Sequence, residues 1–240
     1  MASTTLVFLP GLAADHRMWR AQLEAVAQAP FLASWQVGVS QVHAHHDSME
    51  RMAAALLAQH PAGPLVLCGA SMGGILAMEV ARQAPQRLRG LALLGTNARP
   101  ETPEMRSLRE AAMQLFRDGR ALEVLEANVP LAFHPDAQAQ PGIVDAYLQF
   151  VLDAGAGQLV RQNQAIIDRP DARRHLPALR CPVLVMGGDS DQLTPPDCSD
   201  EIAALIPQAQ RVVLPRCGHM LTMERPAEVN AHLLAWLGGL

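Results

Sequence analysis

The chain contains no lysine: all 19 of its Lys/Arg positions are Arg. We read this as codon composition rather than chemistry. The cations are scattered and the net charge is only −4, so neither nucleic acid nor an anionic membrane is expected as a partner. Cysteine is scarce, and the four at positions 68, 181, 198 and 217 form no Cys-x-x-Cys pair. A disulfide or zinc framework is therefore not expected, and reduced thiols suit a cytoplasmic protein. No apolar run reaches the length of a membrane span. No basic residue precedes the short apolar stretch of MASTTLVFLPGL, which reads as a first core strand rather than a signal peptide. Repeats and low-complexity linkers are also missing. What remains is 240 residues, half of them hydrophobic, enough to bury one large core.

Short β-rich runs alternate with helical patterns, which predicts an α/β fold: a parallel sheet flanked by helices. Strands are expected at Thr5–Leu9, Trp35–Val39, Pro64–Cys68, Leu88–Leu94, Cys181–Met186 and Arg211–Leu214. Helices are expected from about Arg17, from Asp47 (as a capping box with Glu50), over 72–84, after a Thr194 cap, and from Pro226. From about Pro100 to Leu179 the strands stop and four helical patterns follow: Met105–Arg117, Ala121–Ala127, Ile143–Leu152 and Leu159–Ile167. This predicts a core of residues 1–99 and 180–240 with a helical lid insertion, 100–179, over the sheet edge where ligands bind in open α/β folds.

The strongest motif is Gly69-Ala70-Ser71-Met72-Gly73, between a strand and a helix with no loop. A Gly-x-Ser-x-Gly pentapeptide alone is weak; in this setting it is a nucleophile elbow. The turn is so tight that the flanking positions two residues either side, Gly69 and Gly73, must lack side chains. Ser71 is thereby lifted clear of the sheet edge, with the Met72 N–H aimed at the same space.

A hydroxyl needs an adjacent base, oriented by a third group. Of nine histidines only His219 lies just beyond a strand near the C-terminus. The acid should follow the preceding strand, where Asp189 and Asp191 compete. Asp191 has the length of loop to turn back toward His219, while Asp189 suits a turn that binds backbone N–H groups, so Asp191 is favoured. Gly11 permits a turn after the first strand that would present the Leu12 N–H, with the Met72 N–H, to an oxyanion. Phe133, Tyr147, Met72 and Met220 are expected as acyl-pocket walls, though lid or core packing accounts for them equally.

The series LPGLAADHRMW, LCGASMGG, RGLALLGTNARP, LVMGGDSDQLTPP and CGHMLTMERP resembles the α/β-hydrolase superfamily, close to its small bacterial lid-bearing esterases. The resemblance spans nearly the whole chain. It implies six consecutive parallel strands, a Ser71–His219–Asp191 triad, cleavage of a small-molecule carboxylic ester through an acyl-enzyme, and no cofactor. Two departures alter the expected pocket walls. Pro10-Gly11 stands where His-Gly is usual, and a His-rich loop replaces the usual glycine-rich stretch after the second strand. A serine argues against dehalogenase and epoxide hydrolase chemistry, which use an aspartate on this fold. Carbon–carbon bond, lactone, thioester and aminoacyl-bond cleavage use the same triad, and a ligand receptor on this scaffold is a further alternative. The oligomeric state is not legible.

His43-Ala44-His45-His46-Asp47 has the residue types of a metal cluster, but its final histidine is replaced by Ser48. It is expected to be a solvated loop. Cys68 and Cys217 read as packed thiols.

Overall fold

The structure, a computed structural model, describes residues 3–240. Its six strands are β1 (Thr5–Leu9), β2 (Gln36–Val39), β3 (Leu65–Ala70), β4 (Leu88–Leu94), β5 (Val183–Gly188) and β6 (Ala209–Leu214). They form one sheet in the order β2-β1-β3-β4-β5-β6, with every neighbouring pair parallel. β1, β3, β4 and β5 are almost uniformly apolar because both faces are covered. Alternate residues serve opposite faces. Leu6, Phe8, Val66 and Cys68 join one core, and Val7, Leu9, Leu65 and Leu67 the other.

The first core is closed by α1 (Arg20–Ala27) and, at the far end of the chain, α11 (Pro226–Leu237). The second is closed by α3 (Met49–Gln59), α4 (Met72–Gln83) and α9 (Pro196–Leu205). Two single helical turns, α2 (Val42–His45) and α10 (Leu221–Glu224), complete this part. Two expected caps are corrected. Ser48, not Asp47, caps α3 by accepting from the Arg51 N–H, and Asp47 pairs with the Arg51 guanidinium instead. Helix α9 has no side-chain cap, because the Thr194 hydroxyl is directed to Asp191.

Between β4 and β5 lie α5 (Pro103–Arg117), α6 (Ala121–Ala132), α7 (Pro135–Gln138) and α8 (Ile143–Ile167). The last joins both helices expected at 143–167, which meet at Gly155, where φ is 74°. Helix α6 runs past Ala127 and through Pro130, sustained by burial of Leu125 and Ala132. Phe116, Leu125, Tyr147 and Phe150 merge with Phe8, Trp19 and Leu94 in the first core. The insertion thus completes the core of the sheet rather than building its own. No helix among the described residues is long and apolar enough to cross a membrane.

Candidate active site

Ser71 follows directly on β3 and precedes α4, with φ 52° and ψ −117°. That conformation is strained for a residue with a Cβ. It persists because both sides of the turn are fixed. The Ser71 N–H donates to Leu94 O at 2.8 Å, and the Thr96 hydroxyl donates to Ser71 O at 2.8 Å. A Cβ at Gly73 would overlap the Leu9 carbonyl, and one at Gly69 would overlap the Gly73 carbonyl. The two glycines therefore let β1, β3 and α4 touch through backbone, leaving Ser71 half-buried at the sheet edge.

His219 stands beyond β6, and its Nδ1 is 2.8 Å from Asp191 Oδ2. Asp191 Oδ1 accepts from the Leu193 and Thr194 N–H groups, and Oδ2 also accepts from the Thr194 hydroxyl at 2.7 Å. Asp189 turns the other way and accepts from the Arg216 and Cys217 N–H groups, shaping the loop that delivers His219. Burial works to raise the Asp191 pKa, but His219 and the Thr194 hydrogen bonds outweigh it and hold the carboxyl below its ordinary value. Burial likewise opposes the His219 cation, yet the Asp191 charge and hydrogen bond prevail and raise the imidazole pKa. With Nδ1 engaged, Nε2 is the nitrogen left for the cavity.

Two tethers join these loops to the insertion. Glu224 is buried, and its carboxylate accepts from the N–H groups of Gly218, Met220 and His134. Ala132 O, at the end of α6, accepts from the His219 N–H at 2.8 Å. On the other side Gln162 of α8, fully buried, accepts from the Ala13 N–H at 2.6 Å and donates to His43 O at 3.1 Å. Ala13 has φ 57°, and His43 Nε2 bonds Ala14 O at 2.8 Å. The Gly11 N–H is directed to Met18 Sδ. Between these occupied groups the Leu12 N–H has no hydrogen-bond partner among the described residues. His43 is thus a buried brace, which corrects the solvated loop expected at 43–47 at that one position, while His45 and Asp47 are exposed.

A cavity of about 480 Å³ separates the sheet edge from the insertion. Ser71, His219, Leu12, Met72, Tyr147 and Met220 all line it. Phe133 does not: it is buried behind Tyr147, ring centroids 5.3 Å apart and edge-on. Burial pushes the Cys68 and Cys217 thiols far up, so both stay protonated. Gln162, Glu224 and Arg109 of α5 were not singled out from sequence, and Thr194 was read only as a helix cap. Each of the first three reaches at least one partner far along the chain, Ala13 for Gln162, His134 for Glu224 and Asn163 for Arg109.

Comparison with known proteins agrees with this architecture. A curated relative, the pimeloyl-[acyl-carrier protein] methyl ester esterase of Nitrosomonas europaea, is 27% identical over 234 residues, 93% of this chain and 91% of its own. A thermophilic esterase from Thermogutta terrifontis superposes with a TM-score of 0.86 at 30% identity, over 99% of this chain and 90% of that one. The enol-lactonase of Burkholderia xenovorans LB400 has the same fold, with a TM-score of 0.86 at 22% identity over 99% and 92% of the two chains. Residues 4–226 match the family model described as alpha/beta hydrolase fold. A match of that extent, across sheet and insertion alike, makes the chain a member of the alpha/beta hydrolase family, a hydrolase with esterases among its relatives.

Proposed function

We propose that the protein cleaves a small carboxylic ester through an acyl-enzyme, with Ser71 as nucleophile, His219 as base and Asp191 as its orienting acid. One observation carries this reading. The strained Ser71 and the histidine whose far nitrogen is anchored 2.8 Å from a carboxylate face one cavity. His219 Nε2 takes the Ser71 proton as the hydroxyl oxygen attacks the ester carbonyl. The Leu12 and Met72 N–H groups hold the oxyanion, and His219 then protonates the departing alcohol. Water, activated by the same imidazole, releases the acid. Asp191 fixes the tautomer and stabilises the imidazolium.

The insertion acts as the lid, and Tyr147 and Met220 are the acyl-pocket walls we retain, with Phe133 supporting Tyr147 from behind. The substrate is a small molecule, and nucleic acid and membrane are not partners. The Nitrosomonas relative, named for methyl ester cleavage, favours an ester over the other bonds open to a serine nucleophile. Four free thiols among the described residues suit the cytoplasm.

A panel of p-nitrophenyl esters graded in acyl length, run beside lactone, thioester and aminoacyl-arylamide substrates, tests the reading. Ester turnover should dominate, and a fluorophosphonate should label Ser71 and abolish it. Preferred turnover of another bond, or turnover without Ser71 labelling, sinks it.

A further inference from the structure

The cavity contains no carboxylate, yet two arginines reach it, Arg109 of α5 and Arg169 just beyond α8. They differ in how fully they are occupied. Arg169 is a structural residue. Its side chain is 5% exposed, and it donates to Arg99 O, Ile166 O and both oxygens of Glu101. Arg109 gives Nε to Glu101 at 2.5 Å and Nη1 to Asn163 Oδ1 at 3.0 Å. Its Nη2 has no hydrogen-bond partner among the described residues. Asn163 is itself buried and pinned by donating to Leu159 O, so it holds the guanidinium in one orientation. A half-buried cation with an unused edge has been brought to the wall of a cavity whose lining is largely, though not wholly, apolar.

The charge balance limits what that edge can receive. Two guanidiniums face one carboxylate, Glu101, which leaves a single positive charge. One singly charged, planar acceptor would neutralise it, and a carboxylate matches the guanidinium fork. A phosphate dianion would leave the cluster negative. Position along the helices adds a second constraint. Arg109 lies seven residues before Phe116 on α5, or roughly 10 Å along the axis. Phe116 shares its part of the cavity with Leu125, Tyr147 and Phe150. The cavity therefore has an aromatic region and a cationic region, and Ser71 opens into the same space.

We infer that the substrate is a half-ester, a carboxylic ester bearing a second, free carboxylate that docks on the Arg109 guanidinium, which Asn163 holds in place. This rests on the hydrolytic reading above and adds the substrate class to it. Burial and the neighbouring Arg169 both work against the Arg109 charge, with Glu101 opposing them, and leave its pKa below the ordinary guanidinium value. A bound carboxylate would counter that effect and stabilise the charge.

The test compares monomethyl esters of straight-chain diacids, from succinate to suberate, with methyl esters of monoacids of equal length. The intact protein should favour the half-esters in kcat/KM, chiefly through KM, by about tenfold or more at the best length. Added sodium chloride should erode that preference. Arg109→Met should collapse the ratio, and Glu101→Gln, which adds a net positive charge, should increase it. A variant that merely folds poorly lowers both ester classes together and leaves the ratio alone. Equal turnover of both classes, with a ratio insensitive to salt and to either variant, overturns the inference and leaves the ester hydrolase intact. Should no ester of either class be turned over, the hydrolytic reading falls instead. Calorimetry with free adipate and suberate then decides the anion site, which stands if binding occurs and is lost in Arg109→Met, and falls otherwise.

Discussion

At the sheet edge the backbone around Ser71 is held mainly by close backbone contacts at glycines, with the Thr96 hydroxyl as a side-chain addition. The insertion, by contrast, is held to the site mainly by side chains reaching across the chain, with the Ala132 carbonyl as its backbone link. Gly69 and Gly73 stand two residues either side of the serine, and the turn follows from what cannot fit there. Gln162 lies 149 positions from Ala13 and 119 from His43. The first arrangement is set by excluded volume and tolerates almost no substitution. The second is set by paired polar groups, so it can be loosened one hydrogen bond at a time. The contrast fits different jobs for the two regions: the edge holds the proposed nucleophile, and the insertion sets the loops and walls around it.

Removing the proposed nucleophile is the most severe break. Ser71→Ala should reduce ester turnover on the order of 10⁴-fold or more, leaving what binding and the oxyanion donors supply. The Ser71 side chain makes no hydrogen bond that shapes the turn, since its backbone N–H and carbonyl do that work. The thermal midpoint should accordingly stay near that of the parent protein. Substantial residual turnover in protein freed of contaminating esterase would place the nucleophile elsewhere.

Excluded volume is tested next. Gly73→Ala drives a methyl into the Leu9 carbonyl, with backbone on both sides and nothing flexible to move. Denaturant unfolding should show a loss of roughly 3 kcal/mol or more, or the variant should fail to accumulate as folded protein. A near-neutral result would mean that the contact between α4 and β1 is softer than the geometry requires.

This contrast also explains how much could be read from sequence. The elbow, the strands and the Asp189/Asp191 division are local or nearly so, since each depends on residues a few positions apart whose sterics or loop lengths are visible in one dimension. His43 looked solvated because a polar, His-rich stretch normally is; only α8, folded back over it, buries it. Phe133 and Tyr147 are both aromatic residues of the insertion, and the sequence does not say which of two rings packed edge to face reaches the cavity. Asp47 and Ser48 are both good caps, as is Thr194, and the choice in each case fell to a competing partner, Arg51 or Asp191. The Arg109–Glu101–Arg169 cluster was invisible because it joins the two ends of the insertion, Arg169 standing 68 positions from Glu101.

A milder break loosens the insertion. Gln162→Leu keeps the volume but leaves the Ala13 N–H and His43 O without partners inside the protein. Each lost bond should lower stability by about 1–3 kcal/mol. If Gln162 positions the Leu12 N–H, kcat should fall about tenfold with KM nearly unchanged, since a misplaced oxyanion donor is felt in the transition state. A loss of stability with kcat intact would reduce Gln162 to packing.

The smallest expected effect concerns Thr194, which sharpens the edge's own electrostatics. The proposed mechanism requires neutral His219, and Asp191 raises the imidazole pKa. The rising limb of kcat/KM should therefore be centred above the ordinary value of about 6.5. The same pairing bears on stability. Its contribution is fully present below the unfolded imidazole value and is lost as the pH rises through the raised folded one. The Thr194 hydroxyl donates to Asp191 Oδ2, the oxygen that faces His219 Nδ1, and so draws electron density from the imidazole's partner. Thr194→Val removes that donor while keeping nearly the same shape. Asp191 Oδ2 then becomes the better acceptor for the imidazolium, and the limb should move upward by roughly half a pH unit. A pH–rate profile of both proteins on one neutral ester checks it, and a downward shift would mean that the hydroxyl's main task is to hold Asp191 in place rather than to compete for it.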